Sequence, residues 1–213
     1  MSQEFSLISL EHLLRWVLRE EETGEIFGIP RELFFKPSLD DPFRVERYGQ
    51  TLESPIGVAA GPHTQMAQNI IAAWLCGGRY IELKTVQTLD ELKVSKPCID
   101  LGDEGYNCEW SQELRLKDSF NEYLHAWIIL HILRHKWGWA NDASPGFLFN
   151  LSVGYNMEGI LKPNVQEFFR KARSCKELLA EKIESIKHLY PDVTRLAIPD
   201  RISDNITLST MHG

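Results

Sequence analysis

The sequence predicts an α/β fold that forms the first half of an eight-fold (β/α) TIM barrel. Short apolar segments rich in β-branched residues alternate with longer segments of helical periodicity, in the order β-α-β, loop, α-β-α-β. The predicted strands carry few polar residues, which is typical of parallel strands buried beneath helices. A complete barrel needs roughly 250 residues, whereas this chain has 213. We therefore expect the chain to end within the barrel domain.

Composition and charge exclude two classes of function. The net charge of -7 opposes nucleic-acid binding, which needs a basic surface. The longest apolar runs are too short to cross a bilayer. The four cysteines lack the spacing of a disulfide framework, and no secretory signal begins the chain. We therefore expect a cytoplasmic protein with reduced thiols and no membrane insertion.

Residues 1–42 are predicted to be an N-terminal helix and a lead-in loop. Apolar residues from Leu7 to Leu18 recur at helical spacing, and Gly24 suits the position that follows a helix end. Three prolines predict a loop over residues 26–42. The half-barrel is predicted over residues 43–213, and it starts with a small hairpin over 43–52.

The barrel is predicted to begin with a β-α-β unit. A strand over 56–60 meets the turn Gly61-Pro62, Thr64 suits the N-cap of a helix, and Gly77-Gly78 ends that helix. The second strand follows over 80–86. Further along, the sequence predicts a long loop over 88–110, a helix over 112–137, a strand over 147–153, a helix over 163–189 and a strand from residue 206 to 209.

Functional residues are expected at the C-terminal ends of these strands, where (β/α) barrels carry their active sites. The residues placed there are Ala59, Ala60, Gly61, Pro62, Lys84, Thr85, Ser152, Gly154, Tyr155, Asn156, Ser209, Thr210 and His212. Small residues at the first turn allow a ligand to approach the backbone. The Lys84 ammonium suits an anionic or electron-rich ligand, although a lysine at this position can also extend to solvent.

Four segments at this face resemble a known family. Residues 54–62 (SPIGVAAGP), 82–85 (ELKT), 152–156 (SVGYN) and 207–213 (TLSTMHG) occur in the order found in the flavin-binding barrels of dihydropyrimidine and dihydroorotate dehydrogenases. Nearly the whole chain, including residues 26–30 (IFGIP) and 96–100 (KPCID), resembles the N-terminal part of the selenate reductase subunit family of bacteria. The resemblance implies the FMN-linked, dihydroorotate dehydrogenase-like type of barrel.

The resemblance also implies a cofactor site for FMN. Ala59, Ala60 and Gly61 would contact the flavin ring through their main chain. Lys84 would lie at one edge of the ring and stabilise negative charge on the reduced flavin, and Thr85 would hydrogen-bond beside it.

The same resemblance implies substrate contacts for Asn107, Asn156, Thr207 and Ser209. The dehydrogenases carry a proton-transferring cysteine where this chain has Thr210, and an asparagine where it has Thr207. An unactivated hydroxyl is a poor base near neutral pH, so catalysis through Thr210 would need a relay.

Members of that family are long iron–sulfur flavoproteins. The resemblance therefore implies a flavin-dependent oxidoreductase that passes electrons between flavin and an undetermined small-molecule substrate or acceptor. Its partners would be the remaining domains and redox partner subunits. Iron–sulfur clusters and a second nucleotide site are expected only outside these residues.

Three alternatives remain open from the sequence. The barrel can be a non-catalytic scaffold of a larger electron-transfer complex, or a phosphate-binding barrel with another ligand. His131 and His135 lie one helical turn apart, a spacing that can bind zinc, but packing in the core is favoured. The spacing of Cys98 and Cys108 does not match a metal knuckle, and the acidic residues between 100 and 104 favour a solvated loop. No metal site is predicted.

Overall fold

The structure is a computed structural model that describes residues 6–87, 99–100, 106–107, 113–139, 144–154 and 156–209, with the backbone alone at 87, 99, 100, 106, 107 and 209. The helices are α1 (Leu10–Thr23), α2 (Ala67–Leu75), α3 (Leu116–Lys136), α4 (Met157–Ile160), α5 (Pro163–Arg173) and α6 (Lys176–Ile186). Three short 3-10 helices lie at Arg31–Leu33, Pro62–Gln65 and Pro191–Arg195.

The main sheet is parallel and follows the order of the chain. Its strands are β5 (Gly57–Val58), β6 (Tyr80–Glu82), β7 (Val86–Gln87), β10 (Leu148–Gly154) and β11 (Ile206–Ser209). The order across the sheet is β11-β10-β6-β5, and β7 also pairs with β10. Because β6 and β7 both pair with β10, they are two parts of one strand position. The described residues therefore form four successive β/α positions, as predicted, and do not form a closed barrel.

Three two-stranded sheets accompany the main one. They are β1 (Glu25–Ile26) with β2 (Ile29–Pro30), β3 (Val45–Arg47) with β4 (Gln50–Leu52), and β8 (Ile99–Asp100) with β9 (Tyr106–Asn107). The β3–β4 pair confirms the predicted hairpin, which turns through Tyr48 and Gly49, both at positive φ. The β1–β2 pair corrects the predicted loop, because Phe27 and Gly28 make a second tight turn there.

The two sides of the sheet differ in character. Phe147 and Phe149 pack on the indole of α3 residue Trp127, with ring centroids 5.2 and 5.3 Å apart. This side faces the helices and carries the main hydrophobic core. Side chains alternate along a strand, so Asn150 and Ser152 lie on the other side, which is the barrel interior. The helix-facing side carries the hydrophobic core, and the other side of β10 carries the polar residues Asn150 and Ser152.

The N-terminal helix belongs to the same core. Its buried residues Leu10, Leu13, Leu14 and Val17 lie in one cluster with the residues beneath the sheet, and α1 contacts α6. Gly24 has a left-handed φ of 92° after the helix end, which confirms the predicted stop. The division of the chain at residue 42 stays a prediction.

The structure corrects three predicted boundaries. Thr64 lies inside a 3-10 helix and does not cap α2, because its hydroxyl bonds to Gly61. The second strand is interrupted at residues 83–85 between β6 and β7. The helix predicted over 163–189 is two helices, because Ser174 is extended and the Cys175 N–H donates to the Asp200 carbonyl at 2.8 Å.

Candidate functional site

The candidate site lies where β5 and β6 end, and its first part is the turn that follows β5. Ala59 is exposed and Ala60 is partly buried. Because each side chain is a single methyl group, neither would keep a ligand from the backbone. The Gly61 N–H donates to Thr64 Oγ1 at 3.1 Å, and the Thr64 N–H donates back to the Gly61 carbonyl at 2.9 Å. A Cβ at Gly61 would lie 2.6 Å from the His63 ring. The turn is rigid, and its small residues leave the main chain approachable.

The second part of the site is the interruption between β6 and β7. The Leu83 N–H donates to the Asn150 carbonyl at 2.9 Å, after which the strand leaves the ladder. The Lys84 N–H then donates to the Thr64 carbonyl at 3.4 Å, which joins the interruption to the first turn. From the other side, the Tyr123 hydroxyl of α3 donates to the Lys84 carbonyl at 3.1 Å. The main chain of Lys84 is thus held by hydrogen bonds at both its N–H and its carbonyl.

The Lys84 side chain is 6% exposed. Its Nζ lies 3.5 Å from the Thr85 carbonyl. The lysine does not extend to solvent, so that alternative from the sequence is wrong. An ammonium in a water-poor environment acts more strongly on a neighbouring charge than it would in water.

Interior-facing hydroxyl and amide groups form the third part of the site. Thr85 Oγ1 and Ser152 Oγ are 2.9 Å apart. Two residues earlier on β10, Asn150 Nδ2 donates to Thr207 Oγ1 of β11 at 2.7 Å. Asn150 lies one side-chain layer beneath Ser152 and was not among the predicted site residues. The available signal was that Asn150 and Ser152 are two residues apart and therefore share a side of the sheet.

The remaining predicted site residues are placed unequally. Asn156 is exposed just after β10, and its Oδ1 accepts the Gly159 N–H at 2.9 Å, so it caps α4. Ser209 ends β11, but its side chain lies outside the described part, as does that of Asn107 in β9. Thr210 lies outside the described residues. The structure therefore brings together Ala60, Gly61, Lys84 and Thr85 with the polar residues of β10 and β11.

A buried ion cluster lies at the opposite end of the strands. Glu53 accepts hydrogen bonds from Arg79 Nε at 2.7 Å and from Arg134 Nη1. Arg79 is 0% exposed, and burial is the main reason that its pKa is lowered to about 10. This cluster was not predictable from the sequence, because nothing in the spacing of the three residues shows that they meet. At this end of a (β/α) barrel such a cluster stabilises the fold.

The two histidines that lie one helical turn apart, His131 and His135, have different surroundings. The His131 ring packs against Trp127 and Phe147, with ring centroids 4.7 and 5.7 Å apart. His135 Nδ1 lies 2.8 Å from the Tyr190 hydroxyl. No group of three metal-ligating side chains is found among the described residues. The preference for core packing of His131 is supported.

Small residues and a buried lysine at adjoining strand ends are features that the ring portion of a flavin would require. Ala59 and Ala60 add only methyl groups to the main chain that a planar ligand would approach. The buried Lys84 supplies positive charge at the adjoining strand end. Phosphate groups in (β/α) barrels are usually held after strands seven and eight, and the described residues contain only four strand positions.

Fold and site define an α/β domain of successive β/α positions around a parallel sheet, with its candidate site at the C-terminal ends of the strands. Comparison with known sequences assigns that class to a particular family. The chain belongs to the family described as "Oxidoreductase YgfK, N-terminal TIM-barrel domain", which matches residues 27–213. The predicted membership of an oxidoreductase family with an N-terminal TIM-barrel domain is thereby confirmed.

Two curated relatives share this similarity. The proteins named "Putative oxidoreductase YgfK" from Escherichia coli strain K12 and from Escherichia coli O157:H7 are each 41% identical over 226 residues. The alignment covers 97% of this chain and 22% of each relative, so the chain spans about a fifth of their length. No solved structure matches the chain. Within the described residues, no helix has both the length and the apolar character needed to span a membrane.

Proposed function

We propose that this chain forms the first half of an FMN-binding barrel in a longer oxidoreductase of the dihydroorotate dehydrogenase-like type. The observation that carries the proposal is the buried Lys84 side chain in the strand interruption, where the Lys84 main-chain N–H donates to the Thr64 carbonyl beside the small-residue turn. A domain that serves only as a scaffold needs no buried lysine at this position. We also propose that the longer protein is a selenate reductase subunit and that it is located in the cytoplasm.

The described residues would divide the work of holding the flavin. Main-chain groups at Ala59, Ala60 and Gly61 would contact the ring. Lys84 would stabilise negative charge at the ring edge, and Thr85, fixed by Ser152 at 2.9 Å, would orient it. The bound flavin would supply electron transfer between the substrate and the acceptor.

Substrate contacts would come from the strand ends further along the sheet. Asn156 is exposed beside the end of β10, and its Oδ1 is engaged in the α4 cap. Its amide N–H group is therefore what it can offer to a substrate. We propose Thr207, Ser209 and Asn107 as further contacts, and Thr210 as the residue in the acid/base position.

The second candidate function is a scaffold barrel that binds no substrate. Thr210 favours it, because threonine stands where the dehydrogenases carry a proton-transferring cysteine. Dihydrouracil and dihydroorotate oxidation distinguish the two. Turnover that is lost in Thr210→Val would exclude the scaffold, while flavin-free protein without turnover would support it.

Replacing Lys84 tests the proposal. In the full-length protein, Lys84→Met keeps most of the side-chain volume and removes the charge. We expect flavin reduction to slow by ~10²-fold, the cost of losing one preorganised electrostatic contact. Lys36→Met is the control, since Lys36 is exposed in the N-terminal segment. Equal flavin content and equal reduction rates in the two variants would overturn the role of Lys84.

A further inference from the structure

Two hydrogen-bond acceptors lie side by side on the interior face of the sheet. Glu82 of β6 and Asn150 of β10 are direct partners in the parallel register. Phe149, the neighbour of Asn150, packs towards the helices. Asn150 and Glu82 therefore point into the barrel interior, away from the helical layer.

Asn150 has an acceptor that the described residues do not satisfy. The residue is 0% exposed. Its Nδ2 donates to Thr207 Oγ1 at 2.7 Å and to the Leu151 carbonyl at 3.2 Å. The Leu151 carbonyl can only accept, which identifies the donor end of the amide. Asn150 Oδ1 is buried, and none of the described residues donates a hydrogen bond to it.

The Glu82 carboxylate adds a negative charge beside this oxygen. Glu82 is partly buried, and its side chain has neither an ion pair nor a hydrogen bond with any described residue. Tyr80, two residues earlier on the same side, does not neutralise it. Burial, a hydrogen bond to Tyr48 and the charge of Glu82 raise the pKa of Tyr80 to about 12, so that the phenol stays neutral.

Asn150 Oδ1 and the Glu82 carboxylate both need a hydrogen-bond donor. The negative charge of Glu82 favours a donor that is a cation. A buried polar group without a partner is costly, and a carboxylate is best satisfied by a basic side chain. Asn150 lies two residues before Ser152, and Glu82 lies two residues before Lys84, so the pair forms the side-chain layer roughly 7 Å below the candidate site. At that depth the interior of a (β/α) barrel is filled by side chains and not by substrate.

We infer that Glu82 and Asn150 receive an arginine or lysine side chain from the strands that complete the barrel. This inference rests on the proposed half-barrel, but it does not depend on the flavin. The basic residue would donate to the Glu82 carboxylate and to Asn150 Oδ1 together, and Thr207 would hold the amide in place. Glu82 and Asn150 would therefore form a charged contact that joins the two halves of the barrel.

Charge removal and charge exchange in the full-length protein test the inference. Glu82→Gln should lower the melting temperature by about 5 °C or more, because it breaks a buried ion pair. The control is Glu46→Gln, which removes the same charge from an exposed position on β3 and should leave the melting temperature unchanged. Glu82→Arg should then be rescued by changing one interior arginine or lysine of the later strands to glutamate.

The outcomes separate this inference from the proposed function, provided that FMN content is measured on the same preparations. Equal melting temperatures for Glu82→Gln and the unaltered protein would overturn the inference. Failure of every charge exchange to restore folding would also overturn it. Full FMN content in such a protein would leave the proposed function intact. Conversely, a protein without FMN in which one exchange restores folding would support the charge match and contradict the flavin site.

Discussion

At the scale of single residues, Tyr123 fixes the main chain that carries Lys84. Its hydroxyl donates to the Lys84 carbonyl, inside an interruption where the strand has left the sheet ladder. Burial raises the pKa of Tyr123, so the hydroxyl remains protonated and can donate. A tyrosine on a neighbouring helix thereby does for residue 84 what a strand partner does elsewhere in the sheet.

Removing that hydroxyl should weaken the fold measurably. We expect Tyr123→Phe to lower the free energy of unfolding of the chain by about 1–3 kcal/mol, since the Lys84 carbonyl would be left buried without this donor. Urea denaturation is the measurement. Tyr190→Phe is the control, because the Tyr190 hydroxyl contacts His135 at an exposed position. Equal losses in the free energy of unfolding would show that the Tyr123 hydrogen bond contributes no more than the exposed Tyr190 contact.

His131 should make stability depend on pH. Burial, with a smaller contribution from the charge of Arg134, lowers its pKa from 6.5 to about 3. The unfolded chain therefore binds a proton between these values that the folded chain does not. Stability from this residue is complete above pH 6.5 and is lost as the pH falls towards 3. Between pH 6.5 and 5 the loss should reach up to about 2 kcal/mol.

His131→Phe should remove that part of the pH dependence, because phenylalanine suits the aromatic contacts with Trp127 and Phe147. Urea denaturation at pH 7.5 and pH 5 gives the comparison. His12→Asn, at an exposed position on α1, should keep the full dependence. An unchanged pH dependence in His131→Phe would show that other groups cause it.

At the scale of elements, one ion cluster joins three of them at the N-terminal side of the sheet. Glu53 follows β4, Arg79 precedes β6, and Arg134 lies in the last turn of α3. Arg79 also contacts two aromatic rings. Its Cζ lies 4.8 Å from the ring centroid of Phe35 and 4.6 Å from that of Trp74. The carboxylate is the only group in this trio that offsets the two guanidinium charges.

Glu53→Gln should therefore be strongly destabilising. Two buried guanidinium groups would keep their charges without the carboxylate, and we expect a loss of about 3–5 kcal/mol. The free energy of unfolding of the chain in urea measures it. Glu32→Gln, which removes a charge from an exposed 3-10 helix, should cost little. A loss in the free energy of unfolding no larger than that of Glu32→Gln would contradict the proposed role of Glu53.

The elements with strong periodicity were the predictable ones. Helices α1 and α3, strands β10 and β11, and the β3–β4 hairpin all lie close to their predicted positions. The interruption at residues 83–85 was not predictable, because it depends on the Thr64 and Tyr123 partners contributed by other elements. The break between α5 and α6 likewise depends on Asp200, which is distant in sequence. Local pattern identifies elements, and tertiary contacts decide where they break.

The candidate site was predictable to a similar extent. The strand ends at Gly61 and Lys84 could be located, because a turn of small residues and a charged residue each follow an apolar strand. The burial of Lys84 and the open acceptor of Asn150 could not, since both arise from packing. The roles of Asn107 and Thr210 stay predictions.

At the scale of the whole molecule, the described residues form four β/α positions with a helical layer on one side of the sheet. Its family is that of an N-terminal TIM-barrel domain of an oxidoreductase, and its curated relatives are about five times longer. We propose that later strands complete the barrel, supply a basic residue to Glu82, and provide the phosphate anchor that the four described strand positions lack.

The most direct test of the central claim is to identify the flavin in the full-length protein. The protein is purified without added cofactor and denatured, and the released chromophore is identified by its absorption spectrum and mass. We predict FMN in a ratio of one per barrel, with a lower ratio in Lys84→Met than in Lys36→Met. A full-length, folded protein that releases no FMN, and does not take it up when FMN is added, would contradict the account.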